Sequence, residues 1–80
     1  MWQNDPRMYA PNVYPNPARD QVRVSSDTVL GNLIVVDARG SVVYSTLQAG
    51  FTHTIDTQVW SSGIYHVITE GAQAVRFIKE

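Results

Sequence analysis

Apolar and polar residues alternate with a period of two along much of the chain after residue 20. Gln21–Ser25 alternates cleanly, so Val22 and Val24 are expected to face a core. Residues 51–56 alternate in the same way and place three side chains on one face: Phe51, His53 and Ile55. No segment keeps a helical period, and the apolar segments are short and regularly spaced. The pattern therefore predicts an all-β antiparallel sandwich.

The middle of the chain predicts a buried strand followed by a tight turn. Residues 33–36 are apolar on both faces, which is typical of a central strand covered on both sides. In the loop that follows, Asp37 is expected to accept hydrogen bonds from turn amides, and Gly40 is expected to be left-handed. This turn role explains Asp37 better than a catalytic role does. Residues 42–47 form the next predicted strand.

The last part of the chain predicts a hairpin. Residues 64–69 and 74–79 are rich in β-branched and aromatic side chains, as strands are. Glu70 and Gly71 can form a two-residue loop, with Gly71 supplying the positive φ of a primed turn. The connection before the hairpin is expected to place Val59 and Trp60 as a plug at one end of the core.

Side-chain directions divide the second strand of this hairpin. Phe77 is expected to pack inward, so its neighbours Arg76 and Ile78 point outward. Lys79 lies near the end and is expected to be solvated. Before the hairpin, Gly63 joins a Ser-Ser turn to a strand and is expected to have a backbone conformation that is costly for other residues.

The beginning of the chain is interrupted by prolines. Residues 1–12 are polar and aperiodic and are interpreted as a linker, in which Trp2 and Tyr9 are poorly suited to form a rigid sugar-stacking platform. In the segment that follows, prolines hold Tyr14 and Asn16 extended. Two interpretations stay open for this segment, and both can hold. It can form an edge strand whose prolines block further pairing, or it can mark where a domain begins.

Composition narrows the class of protein. The chain has 80 residues, 44% hydrophobic residues, a net charge of −1 and no cysteine. These values indicate one globular domain without a disulfide framework or thiolate metal site. The near-neutral charge argues against a nucleic-acid partner, which requires a basic face. No segment resembles a membrane span or a secretory signal.

The chain offers little material for catalysis. Its two histidines, His53 and His66, have no carboxylate or further histidine at ligand spacing, so no metal site is expected. His53 is interpreted as a packing residue, and His66 is expected to face outward. The carboxylates lie mostly at predicted turns or ends, and there is no glycine-rich phosphate loop or nucleophile elbow. We therefore expect neither an enzyme nor a cofactor.

Four segments together resemble one family. They are residues 13–18 (Val-Tyr-Pro-Asn-Pro-Ala), residues 33–43 around Asp-Ala-Arg-Gly, residues 62–67 (Ser-Gly-Ile-Tyr-His-Val) and residues 76–79 (Arg-Phe-Ile-Lys). In their order and spacing they resemble the type A C-terminal sorting domain of the Bacteroidetes type IX (Por) secretion system. The positions that match the family's motifs are Pro15, Asn16, Pro17, Asp37, Gly40, Gly63, Tyr65, Arg76, Phe77, Ile78 and Lys79. The acidic Glu80 departs from a simple basic tail.

The resemblance implies a fold and a route. The fold is an immunoglobulin-like antiparallel β-sandwich of about six or seven short strands, with residues 13–80 as the sorting domain and residues 1–12 as the linker from an upstream cargo. The domain would direct a periplasmic cargo through the outer-membrane translocon for attachment to the cell surface or release. Implied partners are the outer-membrane shuttle and translocon proteins, a sortase-like cysteine protease that cuts in the linker, and anionic lipopolysaccharide joined to the cargo. The precursor would carry an N-terminal signal peptide, which this sequence lacks.

A second class of function uses the same fold. A non-catalytic ligand-binding or adhesive module of a secreted protein would need a flat aromatic strip with polar flanks on the folded domain. Only three side chains could supply such a strip: Tyr44, Trp60 and Tyr65. All three also have simple roles in a core.

Overall fold

The computed structural model describes residues 10–80, which form seven strands. The strands are β1 (Asn12–Tyr14), β2 (Gln21–Ser25), β3 (Leu33–Asp37), β4 (Val42–Thr46), β5 (Thr52–Asp56), β6 (Gly63–Thr69) and β7 (Val75–Lys79). Most of the predicted linker, with Trp2 and Tyr9, lies outside the described residues.

The strands form two antiparallel sheets packed face to face. One sheet has the order β1-β2-β5, and the other has the order β4-β3-β6-β7. Consecutive strands β2 and β3 belong to different sheets, as do β4 and β5, so the chain crosses between the two layers. This arrangement confirms the predicted all-β, immunoglobulin-like sandwich of six or seven short strands.

The core lies between the two inner faces. Because side chains alternate across a strand, every second residue reaches it. Val22 and Val24 of β2 are fully buried, as predicted. The other large side chains that are fully buried and apolar are Leu33, Val35, Ile55, Val67 and Phe77. Trp60 packs against this cluster, which confirms half of the predicted plug, whereas Val59 is 92% exposed and the other half is wrong.

Two further predictions need correction. Strand β3 is central in its sheet, but only its inner face is fully covered, since Ile34 and Val36 on the other side are half-buried. The hairpin between β6 and β7 has a loop of residues 70–74, not a two-residue loop. Gly71 has the predicted positive φ, 67°. Ile68 and Thr69, at the end of β6, pair with β3 but not with β7. The pairing of β6 with β7 therefore begins at Val67 and Val75.

Within residues 10–80, no helix has the length and apolar character needed to cross a membrane. The same part of the chain contains no group of three or more His, Cys, Asp or Glu side chains placed to hold a metal ion.

Candidate functional site

Strand β7 lies at one edge of the four-stranded sheet and carries four of the eleven residues matched by motif. It pairs antiparallel with β6, which places Gly63 opposite Lys79 and Tyr65 opposite Phe77. Segments that the sequence separates are thus direct neighbours across two strands. The free edge of β7 is where another segment can pair with it.

The segment after β1 occupies part of that free edge. We call residues 15–20 the leading segment. The Asn16 side-chain oxygen accepts a hydrogen bond from the Ile78 amide at 3.0 Å. The Ala18 amide donates to the Ile78 carbonyl at 2.7 Å, and the Glu80 amide donates to the Ala18 carbonyl at 2.8 Å. Ala18 is fully buried and forms an isolated parallel bridge with Lys79.

This contact joins two motifs that are far apart in the sequence. Asn16 and Ile78 are 62 positions apart, yet they share a hydrogen bond. Arg19 and Glu80 extend the contact with an exposed ion pair at 3.0 Å, which adds little stability at a solvated surface. The leading segment therefore covers the edge of β7 from Ile78 to Glu80. β1 itself is the edge strand of the other sheet, as one of the two interpretations expected.

The two sides of β7 differ as predicted, except at the end. Phe77 is fully buried, Arg76 is exposed and Ile78 is 41% exposed, which confirms the predicted directions. The expectation that Lys79 is solvated is wrong, because Lys79 is only 7% exposed. Strand alternation places it on the same side as Phe77, and its aliphatic stem packs there while Nζ donates to the Glu80 backbone carbonyl at 2.8 Å.

Gly63 and Tyr65 support β7 from the neighbouring strand. Gly63 has φ of 154°, a region that side-chain-bearing residues rarely adopt, which confirms the predicted special conformation. Tyr65 is 6% exposed and stacks on Phe77 with ring centroids 5.6 Å apart. Its hydroxyl donates to the Ser61 carbonyl at 2.6 Å, four residues upstream. This bond resembles the tyrosine corner of immunoglobulin-like domains.

Asp37 and Gly40 form the turn between β3 and β4. The Asp37 carboxylate accepts from the Arg39 and Ser41 amides, both at 2.9 Å, and Gly40 has φ of 88°. The hydrogen bond from Ser41 is the main cause that holds the pKa of Asp37 below its usual range, with smaller contributions from Arg39. Asp37 also lies opposite Tyr65 in the sheet. The turn prediction is confirmed, and Asp37 has a structural role.

Three aromatic side chains, Tyr44, Trp60 and Tyr65, pack together against the core. Trp60 lies between Tyr44 and Tyr65, with ring centroids 6.4 Å and 5.1 Å away. Tyr44 is half-buried, and its hydroxyl lies 2.6 Å from His53 Nε2, a contact between the two sheets. The prediction that His53 packs rather than acts as a base is consistent with this position. Residues 10–80 present no flat exposed strip made from these three aromatics.

The outward side of strands β3, β6 and β7 is largely apolar, and no prediction from the sequence described it as one surface. We call it the outer face, and its members on β3, β6 and β7 are Ile34, Val36, Ile64, His66, Ile68, Arg76 and Ile78. Ile64, Ile68 and Ile78 are 41%, 37% and 41% exposed. The inward directions of Tyr65 and Val67 were a signal for this face, because their neighbours on β6 must point the other way.

Comparisons with known proteins give a family match for the sequence and a solved structure with a similar fold. The family described as the secretion system C-terminal sorting domain matches residues 12–79. A solved structure of PorZ from Porphyromonas gingivalis, described as an essential bacterial surface component of the type-IX secretion system, is similar with a TM-score of 0.72. Sequence identity is 21%, so this likeness concerns the fold, and the match covers 88% of this chain and 11% of the PorZ chain. No curated protein matches the sequence.

Proposed function

This chain belongs to the family of secretion system C-terminal sorting domains, the sorting signals of type IX secretion, and from that premise we propose that it directs a periplasmic cargo through the outer-membrane translocon. The observation that carries the proposal is the family match over residues 12–79, nearly all of the folded part. The domain acts as an address and not as a catalyst. The destination of the exported protein is the cell surface or the extracellular space.

The proposal includes a division of the chain. Residues 13–80 form the sorting domain, and residues 1–12 form the linker to the cargo. The sortase-like cysteine protease cuts in this linker, and the new end of the cargo is joined to anionic lipopolysaccharide. The outer-membrane shuttle and translocon proteins are the partners that bind the folded domain before the cut.

The folded state of the domain suits an address. A sorting signal in the periplasm must resist proteolysis, and it must still present a feature that a partner can recognise. Strand β7 meets both needs, because Phe77 is fully buried while Arg76 is exposed on the opposite side. Lys79 contributes to the packing side and not to the address, because it is buried.

The test uses a folded periplasmic reporter with residues 1–80 attached at its C-terminus. It is expressed with a signal peptide in a type IX-competent strain and in the same strain without the outer-membrane translocon. We expect the reporter at the cell surface only in the competent strain, and in the periplasm of the other. A reporter without residues 1–80 is the control and should remain periplasmic in both.

Retention of the tagged reporter in the periplasm of the competent strain would refute the sorting function. A ligand-binding module would then be the better interpretation, and a glycan-binding assay on residues 1–80 would test it. Tyr44 and Trp60 are half-buried and Tyr65 is buried, so these three side chains form no flat exposed strip on the described domain, which argues against that interpretation.

A further inference from the structure

The two outer surfaces of this sandwich differ in character. On the three-stranded sheet, the outward side chains are polar or charged apart from one tyrosine: Asn12, Tyr14, Gln21, Arg23, Ser25, Thr52, Thr54 and Asp56. That is the ordinary pattern of an antiparallel sheet with one solvated side. On the outer face of the four-stranded sheet, the outward side chains of β3, β6 and β7 are aliphatic except for His66 and Arg76. Of the two sheets, only the four-stranded one lacks a polar outward side.

Strand register makes these aliphatic side chains contiguous. Ile34 lies directly opposite Ile68 across β3 and β6, and Ile64 lies opposite Ile78 across β6 and β7. Side chains that face each other across neighbouring strands have Cβ atoms about 4.5–5.5 Å apart. Val36 lies opposite His66, so it is a diagonal neighbour of both Ile64 and Ile68 and joins the two pairs into one surface across three strands. Contiguous exposed apolar patches of this kind mark interaction sites.

The two polar side chains of the outer face, His66 and Arg76, lie side by side across the middle of the patch. Val36, His66 and Arg76 are in register on β3, β6 and β7. The two ion pairs within residues 10–80 join Arg19 to Glu80 and Arg39 to Asp37, and neither involves Arg76. No aspartate or glutamate lies among the outward residues of β3, β6 and β7. The guanidinium thus has five donors available and an aliphatic surrounding that favours a carboxylate partner.

We infer that the outer face, with Arg76 at its β7 edge, is the surface by which a protein of the export machinery binds this domain, through aliphatic side chains and a carboxylate that pairs with Arg76. The inference rests on the proposed sorting function and names the surface that serves it. Charge complementarity selects the occupant. A second copy of the chain would place one Arg76 face against another with no carboxylate between them. An anionic lipid surface is read by clusters of cations, and this face has one arginine.

The test uses the reporter that carries residues 1–80, with substitutions confined to the outer face. Arg76→Glu and the double variant Ile64→Ser with Ile68→Ser are expected to lower the amount of reporter at the surface by about tenfold or more, because loss of one partner of a desolvated charge pair weakens association strongly. The reporter should then collect in the periplasm, still folded. Arg76→Lys should show a partial loss, since lysine cannot form the bidentate pair.

Matched controls are present on the same molecule. Arg23→Glu changes a strand arginine on the polar surface of the other sheet, and Val59→Ser changes an apolar residue that is 92% exposed in the connection between β5 and β6. Both should be exported as well as the parent. A thermal melt of each isolated 80-residue variant separates lost recognition from lost folding.

The outcomes distinguish this inference from the function on which it rests. If the parent is exported and the outer-face variants, with unchanged melts, are exported equally well, the surface is wrong and the sorting function stands. If the parent is not exported, the function itself is wrong. Binding of the parent to phosphatidylglycerol vesicles that Arg76→Glu abolishes would overturn the protein partner in favour of lipid. A dimer in sedimentation that the isoleucine double variant dissolves would overturn it in favour of a second copy.

Discussion

Single residues in this domain are constrained mostly by backbone conformation and by local hydrogen bonds. Gly63 and Asp37 show the two cases. Gly63 occupies a conformation that other residues rarely adopt, and Asp37 satisfies two turn amides with one oxygen. Both residues belong to the motifs on which the resemblance rests, and the structure gives each of them a role in the backbone. At these positions the motif reports the requirements of the fold.

Replacement of Gly63 should measure backbone strain with little steric effect. No atom lies within 4 Å of the position that a Cβ would take, so the cost of Gly63→Val comes from φ of 154°. We expect a loss of about 1–3 kcal/mol in the free energy of unfolding, measured by urea denaturation. Ser62→Val, at the exposed neighbouring position, is the control and should change little. A Gly63→Val variant as stable as the parent would show that the strand relaxes without cost.

Asp37 should make the stability of the domain depend on acid. Its folded pKa is lowered, so its contribution is complete above the ordinary carboxyl pKa of about 3.9 and is lost as pH falls through the lower folded value. Asp37→Asn removes the charge and keeps an oxygen acceptor. The melting temperature of the variant should lie below that of the parent at pH 7, and the difference should close in acid. A difference that stays constant over this range would contradict the assignment.

At the scale of elements, strand alternation predicted side-chain directions better than the turn residues predicted the length of the loops. The period of two placed Val22, Val24 and Phe77 correctly in the core, and it would also have placed Lys79 there. Lysine is usually exposed, and that preference overrode the alternation, although a long aliphatic stem can pack while its amine reaches a carbonyl. The contact between Asn16 and Ile78 was beyond local pattern, because it depends on how distant segments meet at one edge.

The contact between the leading segment and β7 should be visible in amide exchange. Asn16→Ala removes the acceptor for the Ile78 amide, so exchange at Ile78 should accelerate. The cost to global stability should be about 0.5–1.5 kcal/mol, the range for one hydrogen bond. Asn16→Asp keeps a side-chain oxygen and is the matched control, with protection retained. Equal protection of the Ile78 amide in Asn16→Ala and the parent would show that the Asn16 side chain does not cover the edge of β7.

The whole molecule combines a small core with one chemically unusual surface. The row of Tyr44, Trp60, Tyr65 and Phe77 runs through the interior, and the contact of Tyr44 with His53 joins the two sheets. A domain of 80 residues has a thin margin of stability, so loss of one large core side chain can remove most of it. A variant that loses export because it unfolds is therefore easily mistaken for one that loses recognition. Neighbouring residues on β7 offer a way to distinguish the two effects.

Phe77 and Ile78 are adjacent, but they point to opposite sides of β7, and their truncation should affect stability to different extents. Phe77 is fully buried, so Phe77→Ala should cost about 3–5 kcal/mol and leave much of the domain unfolded. Ile78 is 41% exposed on the outer face, so Ile78→Ala should cost about 1 kcal/mol or less. Thermal melts measure both changes, and the reporter assay measures export of the same variants. If the outer face is read by a partner, Ile78→Ala loses export beyond its small change in stability, whereas Phe77→Ala loses both together. Export that follows stability alone in both variants would leave β7 with a structural role only.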